Sequence, residues 1–421
     1  MGCSIQAVLS DGFRILRMLA HFHSGGNRAG PNGWDVRHII IVPAYMRADK
    51  MRFEPRKEIA DLPATVHGGQ GWRYAGVEDY SQNLNPFGPP PELADAIVGA
   101  MSQMGHYPDA SNAEPRRALA EAYGVPAECI SMGAGSSEII RDFPNVFCAK
   151  GDRVLLMHPS FAEYAQQCRI AGAEVSYMEL EPENGFRIDE VALSARLREE
   201  PYKAVYICNP NNPTGVIEDR AKLERIISEA SDLGTLVFLD ETLLALSDPD
   251  GTRTMIPRIG RYDNLVIADS YTKSFAVPGL RIGFCISSPE IAEQMAKVQL
   301  PWNLGAAEQA AAVYLAGRLD YVRSAACELR RESERMEREL SGIGFPCVHT
   351  DSFFRFAPVG TAARDGRGLQ EKMLRHGIMI RDCASFGGRF AGYVRYCAKD
   401  SERDGRFIEA AEAVMKETEG L

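Results

Sequence analysis

Seven short apolar runs follow one another between residues 129 and 288, and most of them are separated by segments with helical periodicity. The runs are "CISMG", "RVLLMHP", "EVSYMEL", "AVYICNP", "TLVFLDE", "NLVIADS" and "RIGFCISS". Several are apolar throughout, which is typical of strands buried on both faces of a parallel sheet. The pattern predicts an α/β fold with a mostly parallel seven-stranded sheet in its large domain. The last connection is too short for a full helix, so we expect the seventh strand to pair antiparallel.

The regions on either side of these runs have different patterns. Residues 303–345 are dominated by a long helical stretch, and mixed strand and helix patterns follow, which predicts a smaller α+β C-terminal domain. Near the N-terminus, the stretches "HSGGNRAGPNGW" and "RADKMRFEPRKE" are irregular. We expect this part to be disordered, or the true start of the protein to be Met46 or Met51. The predicted organisation is an N-terminal extension (1–66), a segment that contributes to the small domain and to a dimer contact (67–110), the large domain (111–305), and a linking helix with the small domain (306–421).

Composition excludes several classes of protein. The 421 residues are 45% hydrophobic and 25% charged with a net charge of −10, so nucleic acid and membrane surfaces offer no electrostatic gain. The ten cysteines are scattered singly, which indicates a reducing compartment and predicts a cytoplasmic location. No metal-ligand spacing is present among the eight histidines, so no metal site is expected. No apolar run approaches the roughly 18 residues of a membrane-spanning helix.

Polar and aromatic side chains follow the predicted strands at their carboxyl ends, where open α/β sheets bind ligands. Taken singly, each has an ordinary explanation as a helix cap, a turn or a core residue. Taken together in this order, they form a set that independent turns would not produce. The set comprises Ser136 and Ser137 in "GAGSSE", Phe161, Asn212 in "NNPTG", Asp240 in "FLDE", and Ser270, Thr272, Lys273 and Arg281 in "DSYTKSFAVPGLRIGF".

These residue types match the requirements of pyridoxal 5'-phosphate. A lysine amine bonds to the cofactor aldehyde, and a carboxylate keeps the pyridine nitrogen protonated so that the ring can accept electrons. An asparagine can donate to the ring hydroxyl oxygen, and an aromatic side chain can stack on the ring. A helix N-terminus, hydroxyl groups and an arginine bind the phosphate dianion. The sequence therefore predicts a pyridoxal phosphate site, with Lys273 and Arg281 at opposite ends of the cofactor.

Longer motifs carry a resemblance to a known family over roughly residues 67–415. They are "HGG", "NLNPFGPP", "YPD", "FAEY", "CNPNNPTG", "SYTKSFAVPGLRIGF", "LPWN" and "IMIRDCA". On these motifs the chain resembles the fold-type-I pyridoxal phosphate enzymes of the aminotransferase class I/II superfamily. The shorter motifs "HGG", "FAEY", "PGLR" and "PW" are most similar to threonine-phosphate decarboxylases, with histidinol-phosphate aminotransferases as close relatives.

The resemblance implies a role for each matching position. It implies that Lys273 bonds to the cofactor, that Asp240 faces the ring nitrogen and that Arg395 clamps the substrate carboxylate. It also implies a homodimer with shared active sites, in which Tyr107 reaches the cofactor phosphate of the neighbouring subunit. The remaining implied roles are a donor to the ring hydroxyl (Asn212), a stacking ring (Phe161), phosphate ligands (Ser136, Ser137, Ser270, Thr272 and Arg281) and substrate contacts (Asn85, with His67 and Arg381 for a substrate phosphate). For His67 and Arg381, packing in a surface loop is the alternative explanation.

One departure from the superfamily pattern bears on the reaction. Aminotransferases usually carry "DEAY" after the sheet aspartate, whereas this chain has "DETL", with Leu243 in place of the tyrosine. This favours decarboxylation of O-phospho-L-threonine to aminopropanol phosphate, in a cobalamin-type pathway. The alternative is a histidinol-phosphate type aminotransferase that uses 2-oxoglutarate. A third possibility, a catalytically silent cofactor-binding protein, is opposed by the presence of both Lys273 and Arg395.

Overall fold

A computed structural model of the chain describes residues 54–63, 65 and 71–419. The chain divides into two units at Glu54, and nearly all described residues belong to the second unit, Pro55–Leu421, which is compact. Most of the predicted N-terminal extension therefore lies outside the described residues. None of the described helices combines the length and the apolar character that a membrane crossing requires.

The secondary structure alternates between strands and helices along most of the chain. The strands are β1 (Glu78–Asp79), β2 (Ile130–Ala134), β3 (Arg153–His158), β4 (Glu174–Glu179), β5 (Ala204–Cys208), β6 (Leu236–Asp240), β7 (Leu265–Ser270), β8 (Ile282–Ser287), β9 (Phe354–Pro358), β10 (Ile378–Met379), β11 (Arg381–Asp382) and β12 (Tyr393–Cys397). The helices are α1 (Lys57–Ala60), α2 (Leu93–Ala100), α3 (Ala113–Tyr123), α4 (Ser136–Phe147), α5 (Ala162–Ala171), α6 (Glu190–Glu199), α7 (Arg220–Asp232), α8 (Tyr271–Ser274), α9 (Pro289–Ala296), α10 (Ala306–Ala316), α11 (Leu319–Gly342), α12 (Gly366–Arg375) and α13 (Ser401–Glu419).

The large sheet contains the seven strands that the apolar runs predict. Its strand order is β2-β8-β7-β6-β5-β3-β4. Neighbouring strands from β4 to β7 pair in parallel, whereas β8 pairs antiparallel with both β7 and β2. The predicted fold class is confirmed, including the antiparallel seventh strand.

Burial on both faces explains why the central strands of this sheet, such as β5, are apolar throughout. Along β5, Val205 and Ile207 belong to one core cluster, whereas Tyr206 and Cys208 belong to a second cluster. Successive side chains of a strand point to opposite faces, so both faces of the sheet are covered. A strand in this position cannot alternate between apolar and polar residues without burying polar groups.

The C-terminal part of the second unit contains a smaller antiparallel sheet with the order β11-β12-β9. The short strand β1 pairs in parallel with β10, which joins the segment before the large sheet to this C-terminal part. The predicted long helical stretch consists of two helices, α10 and α11, because the chain turns at Gly317 and Arg318. The domain boundaries that we assign from the sequence stay a prediction.

The parallel strands place their last residues along one edge of the large sheet. Cys208 ends β5, Asp240 ends β6 and Ser270 ends β7, and Cys208 lies opposite Asp240 in the register. Helix α4 begins at Ser136, directly after β2. This edge is where ligands bind in open α/β sheets.

Candidate active site

A cavity of about 300 Å³ lies at the carboxyl edge of the large sheet. It collects side chains from the strand ends, from the start of α4 and from the smaller sheet. The sequence-predicted residues that line it are Ser136, Ser137, Phe161, Asn212, Asp240, Ser270, Thr272, Lys273, Arg281, Arg381 and Arg395. The structure therefore brings together residues that are up to 259 positions apart, from Ser136 to Arg395.

One end of the cavity is formed by the start of α4 and by Arg281. Gly135 precedes the helix with a φ of 78°, and a Cβ there would lie 2.4 Å from a guanidinium nitrogen of Arg281. A Cβ on Gly283 of β8 would lie 2.2 Å from the carbonyl carbon of Gly135. The two glycines thus allow Arg281 and β8 to approach the helix start closely. Arg281 also donates to the Ser137 hydroxyl at 3.2 Å, which completes a cradle suited to an anion.

Two buried hydroxyl groups face this end without a partner. The hydroxyls of Ser270 and Thr272 are buried and have no hydrogen-bond partner among the described residues. Buried polar groups are nearly always hydrogen-bonded, so two such groups in one cavity indicate a missing acceptor. A phosphate group can accept hydrogen bonds from both hydroxyls and from the first N–H groups of α4. The residues present therefore fit the phosphate of pyridoxal 5'-phosphate.

Lys273 lies on the short helix α8 that follows β7. Burial, together with the nearby charges of Arg395 and Arg281, lowers the pKa of its amine to about 8. A lysine with this pKa has a substantial neutral fraction near physiological pH, which is the form that attacks an aldehyde. The position and the pKa of Lys273 both suit a covalent bond to the cofactor.

Asp240 supplies a buried carboxyl group at the end of β6. The Tyr164 hydroxyl donates to its Oδ2 at 2.6 Å, and the backbone N–H of Thr242 donates to its Oδ1 at 2.9 Å. Burial raises the pKa of Asp240, and the two donors act against this rise. A cationic ring nitrogen beside this group would favour its ionised form. The arrangement therefore suits the protonated pyridine nitrogen of the cofactor.

Arg395 lies at the side of the cavity that the smaller sheet forms. It projects from β12 and donates to the Asn212 amide oxygen and to the backbone carbonyl of Ser81, both at 2.5 Å. Burial lowers the pKa of Arg395, and Arg381 acts in the same direction. Arginine nevertheless keeps its charge in proteins, so a buried positive charge faces the cavity. Because the Asn212 oxygen accepts from Arg395, the amide nitrogen is the group that can donate to a ligand.

Three further lining residues shape the cavity. Arg381 donates to the Ser385 hydroxyl at 2.7 Å, which holds the guanidinium at the cavity wall. The ring of Phe161 lies edge-on to Tyr164, with centroids 5.6 Å apart. Leu243, the departure that we noted in the sequence, is 8% exposed and lines the cavity without offering a hydroxyl group.

Three predicted residues are not part of the cavity lining. Asn85 is 2% exposed, and its amide nitrogen donates to the carbonyl of Ser274 at 2.9 Å, while its backbone N–H donates to the carbonyl of Lys273 at 3.0 Å. It therefore fixes the turn that carries Lys273, and its predicted substrate contact stays a prediction. Tyr107 is 74% exposed and stacks on Trp302, with ring centroids 4.3 Å apart, so its predicted role in a dimer stays a prediction. His67 lies outside the described residues.

Sequence reasoning missed three residues that the structure adds to the site. Tyr164 and Thr242 hold the Asp240 carboxylate, and Ser385 holds Arg381. A signal was present for each of them in the spacing. Thr242 follows its partner by two positions, Ser385 follows Arg381 by four, and Tyr164 lies one helical turn after Phe161.

The comparisons with known proteins agree on one family. Residues 76–410 match the family "Aminotransferase class I and II". The chain is 32% identical over 335 residues to histidinol-phosphate aminotransferase 2 of Archaeoglobus fulgidus, covering 79% of this chain and 92% of the relative. It is 29% identical over 362 residues to a protein of Caldanaerobacter subterraneus assigned by name as a threonine-phosphate decarboxylase, covering 86% of this chain and 97% of the relative.

A solved structure is also similar. The histidinol-phosphate aminotransferase from Clostridium acetobutylicum superposes with a TM-score of 0.74 at 27% sequence identity, covering 80% of this chain and 99% of that chain. This chain is thus similar in sequence and in fold to proteins that are named histidinol-phosphate aminotransferases.

Proposed function

Because the chain belongs to the aminotransferase class I and II family and its cofactor is pyridoxal 5'-phosphate, we propose that it is an aminotransferase. Its amino donor is a phosphorylated compound of the histidinol-phosphate type, and its acceptor is 2-oxoglutarate. Leu243 in the sequence favours decarboxylation, but the names of the relatives support amino transfer better. When bound, the cofactor supplies an aldehyde that bonds to amines and a ring that accepts electrons from the bonds of the substrate Cα.

The charge of the cavity carries the proposal of a phosphorylated substrate. Among the described lining residues, Lys273, Arg281, Arg381 and Arg395 are cationic, whereas only Asp240 is acidic. This excess of positive charge occurs in a chain with a net charge of −10. The cofactor phosphate accounts for Arg281, which leaves the other two arginines for anionic groups of the substrate. A phosphate ester and a carboxylate are the groups that arginine binds best.

Each cationic residue then has a distinct task. Arg395 binds the carboxylate of glutamate or 2-oxoglutarate, and Arg381 with Ser385 binds the phosphate ester of the donor. Lys273, when it is not bonded to the cofactor, moves the proton at the substrate Cα. Its lowered pKa suits this task, since acid–base groups work best when their pKa lies near the operating pH.

Decarboxylation of O-phospho-L-threonine is the second candidate function, and Leu243 favours it. The aminotransferase pattern has a tyrosine hydroxyl at this position, whereas Leu243 lines the cavity with an apolar side chain. One fewer donor beside the ring changes the protonation of the bound cofactor. The relative assigned as a threonine-phosphate decarboxylase supports the same candidate. In this reaction Arg395 orients the carboxylate that leaves as carbon dioxide.

One set of assays on the purified protein with added cofactor separates the two functions. Histidinol phosphate and O-phospho-L-threonine are each supplied with and without 2-oxoglutarate, and glutamate and carbon dioxide are measured. Glutamate that forms only with the acceptor supports the aminotransferase. Carbon dioxide that forms without any acceptor contradicts it and supports the decarboxylase. Lys273→Ala should abolish either product, and a Lys273→Ala variant that keeps full activity would exclude both.

A substitution of Arg381 tests the proposed preference for a phosphate ester. Arg381→Gln should raise KM for the phosphorylated donor by about tenfold or more, because a hydrogen bond to a charged group contributes about 1.5–3 kcal/mol. The control is Arg375→Gln, since Arg375 is an exposed arginine that pairs with Glu417 outside the cavity. Equal KM values for the two variants would contradict the assignment of Arg381.

The proposed active form is a homodimer in which Tyr107 of each protomer contributes to the site of its partner. The high exposure of Tyr107 and its stacking on Trp302 support this, because a large aromatic pair at the surface is suited to a contact. Light scattering coupled to size exclusion measures the mass in solution. A monomeric and fully active enzyme would contradict the shared site.

A further inference from the structure

His158 lies at the same edge of the sheet as the cavity, without lining it. It is the last residue of β3, in register with Glu179 at the end of β4. Its Nδ1 lies 2.8 and 3.0 Å from the two carboxylate oxygens of Glu179. Its Nε2 lies 2.8 Å from the backbone carbonyl oxygen of Phe386. One imidazole thus bridges the large sheet and a loop of the C-terminal part.

This loop, residues 384–390, forms one wall of the cavity. It consists of two single 3₁₀ turns, Ala384–Phe386 and Gly388–Phe390, and Ser385 and Phe386 line the cavity. Ser385 is the residue that accepts from Arg381. Between the turns, Gly387 has a φ of 130°, and a Cβ there would lie 3.3 Å from the His158 ring. The loop backbone is therefore packed directly against the imidazole.

The partners of the ring define its protonation state. A backbone carbonyl and a carboxylate are both acceptors, so each ring nitrogen faces a group that can only accept. A neutral imidazole has one N–H and one lone pair, and it would direct that lone pair at an acceptor. Only the imidazolium donates on both sides. The geometry therefore couples the proton on His158 to the contact between the strand end and the loop.

The other groups near His158 are compatible with an imidazolium. Glu179 also accepts from Arg389 of the loop at 3.0 Å, and Arg389 contacts Glu181 as well, at 2.5 Å. The carboxylate of Glu179 is thus shared between two cations. Tyr177 of β4 and Phe390 of the loop present their rings to the imidazole, with centroids at 5.3 and 5.7 Å.

We propose that His158 is a positioning residue whose imidazolium ties the 384–390 loop to β4 and thereby holds Ser385 and Arg381 against the phosphate end of the substrate. The inference rests on the proposed function, since it assigns a substrate phosphate to Arg381. As pH rises and His158 loses its proton, one of the two contacts is lost and the loop is held less firmly. The affinity for a phosphorylated donor then falls, whereas the steps at Lys273 are unaffected.

Two neutral variants separate the two contacts of the ring. The amide nitrogen of Gln lies near the position of Nε2 and that of Asn lies near the position of Nδ1. His158→Gln therefore keeps the contact with Phe386, and His158→Asn keeps only the contact with Glu179. At one and the same pH, His158→Asn should raise KM for the phosphorylated donor about tenfold over His158→Gln, or about 1.4 kcal/mol. The values of kcat should stay similar.

The pH profile tests the proton itself. The KM of the unaltered enzyme should approach that of His158→Asn as pH rises, after division by the profile of His158→Gln, which contains the titrations of the substrate and of the other groups of the enzyme. His376→Asn is the control, because His376 pairs with Glu417 outside the cavity. If KM depends on pH in the same way in the unaltered enzyme and in His158→Gln, the proposal is wrong. A lower kcat in His158→Asn without a change in its KM would overturn it as well.

Amide hydrogen exchange on the holoenzyme without substrate tests the loop independently of any reaction. After correction for intrinsic rates, amides of residues 384–390 should exchange faster in His158→Asn than in His158→Gln, with matching cofactor absorbance as the check on folding. Equal exchange overturns the role of His158 even if glutamate forms as proposed. Faster exchange in His158→Asn supports it even if the phosphorylated donors are not turned over, in which case only the proposed function fails.

Discussion

Replacing Gly283 by alanine is the most direct test of the phosphate end of the cavity. The added Cβ would lie 2.2 Å from the carbonyl carbon of Gly135 and 2.3 Å from the backbone nitrogen of Ser136. Ordinary contacts begin at 3.4 Å, so the first distance is short by about 1.2 Å. Both neighbours are backbone atoms at the start of α4, and neither can rotate away as a side chain would. The helix start therefore has to move.

The expected cost follows from the size of this overlap. Inserting one methyl group into a close-packed site typically costs about 1–3 kcal/mol. If this cost falls on the start of α4, whose first N–H groups would bind the cofactor phosphate, cofactor affinity should decrease by about 5-fold to about 150-fold. We expect the thermal midpoint of the cofactor-free protein to decrease as well.

Absorbance titration of the cofactor-free protein measures the dissociation constant, and circular dichroism establishes that each variant is folded. Gly279→Ala is the matched control, because a Cβ there meets nothing within 4 Å. Gly133→Ala should have an intermediate effect on cofactor affinity. Its Cβ would lie 2.9 Å from the end of the Ile139 side chain, and this side chain can rotate away. If Gly283→Ala binds the cofactor as tightly as Gly279→Ala does, the close approach of β8 to α4 is not what forms the phosphate cradle.

Three other substitutions test the reacting end of the site. Tyr164→Phe removes a donor from the buried Asp240 carboxylate, which should lower cofactor affinity about tenfold by absorbance titration. Leu243→Tyr restores a hydroxyl group beside the ring, so the ratio of glutamate to carbon dioxide formed should increase. For Lys273, the pKa of about 8 in the fold lies below its ordinary value of 10.5, so burial disfavours the ammonium form. Lys273→Met should therefore stabilise the cofactor-free protein by up to about 3 kcal/mol below pH 8 in denaturant titrations, and this gain should disappear as pH rises from about 8 to about 10.5.

The large sheet could be predicted from the sequence because its strands are buried on both faces. Continuous apolar runs such as "LVIADS" leave few alternatives, and the short connection before β8 identifies it as antiparallel. The small sheet was predicted only as a mixed region. Strands β10 and β11 have two residues each, and β1 pairs with β10 across about 300 positions, so no local pattern contains this contact.

The candidate site also contains some features that could be predicted from the sequence and others that could not. The cofactor candidates at strand ends could be predicted, because the fold class fixes where those ends meet. The contacts of Asn85 and of His158, the last residue of β3, could not be predicted, since both side chains hydrogen-bond to backbone carbonyls whose positions depend on the tertiary structure. An asparagine that binds a substrate and one that holds a turn have the same sequence pattern. The contact of Asn85 with Ser274 is visible only in the structure.

The groups of the cavity fall into two classes by how they respond to burial. Burial raises the pKa of Asp240 and lowers that of Lys273, so both are shifted towards their neutral forms. Arg281, Arg381 and Arg395 keep their charge, because a guanidinium keeps its proton in proteins. In the proposed reaction, the groups that titrate therefore lie where protons move, and the permanent cations lie where anions bind. Since a bond at the substrate Cα reacts only when it is aligned with the cofactor, we expect the fixed cations to decide between amino transfer and decarboxylation by how they orient the substrate.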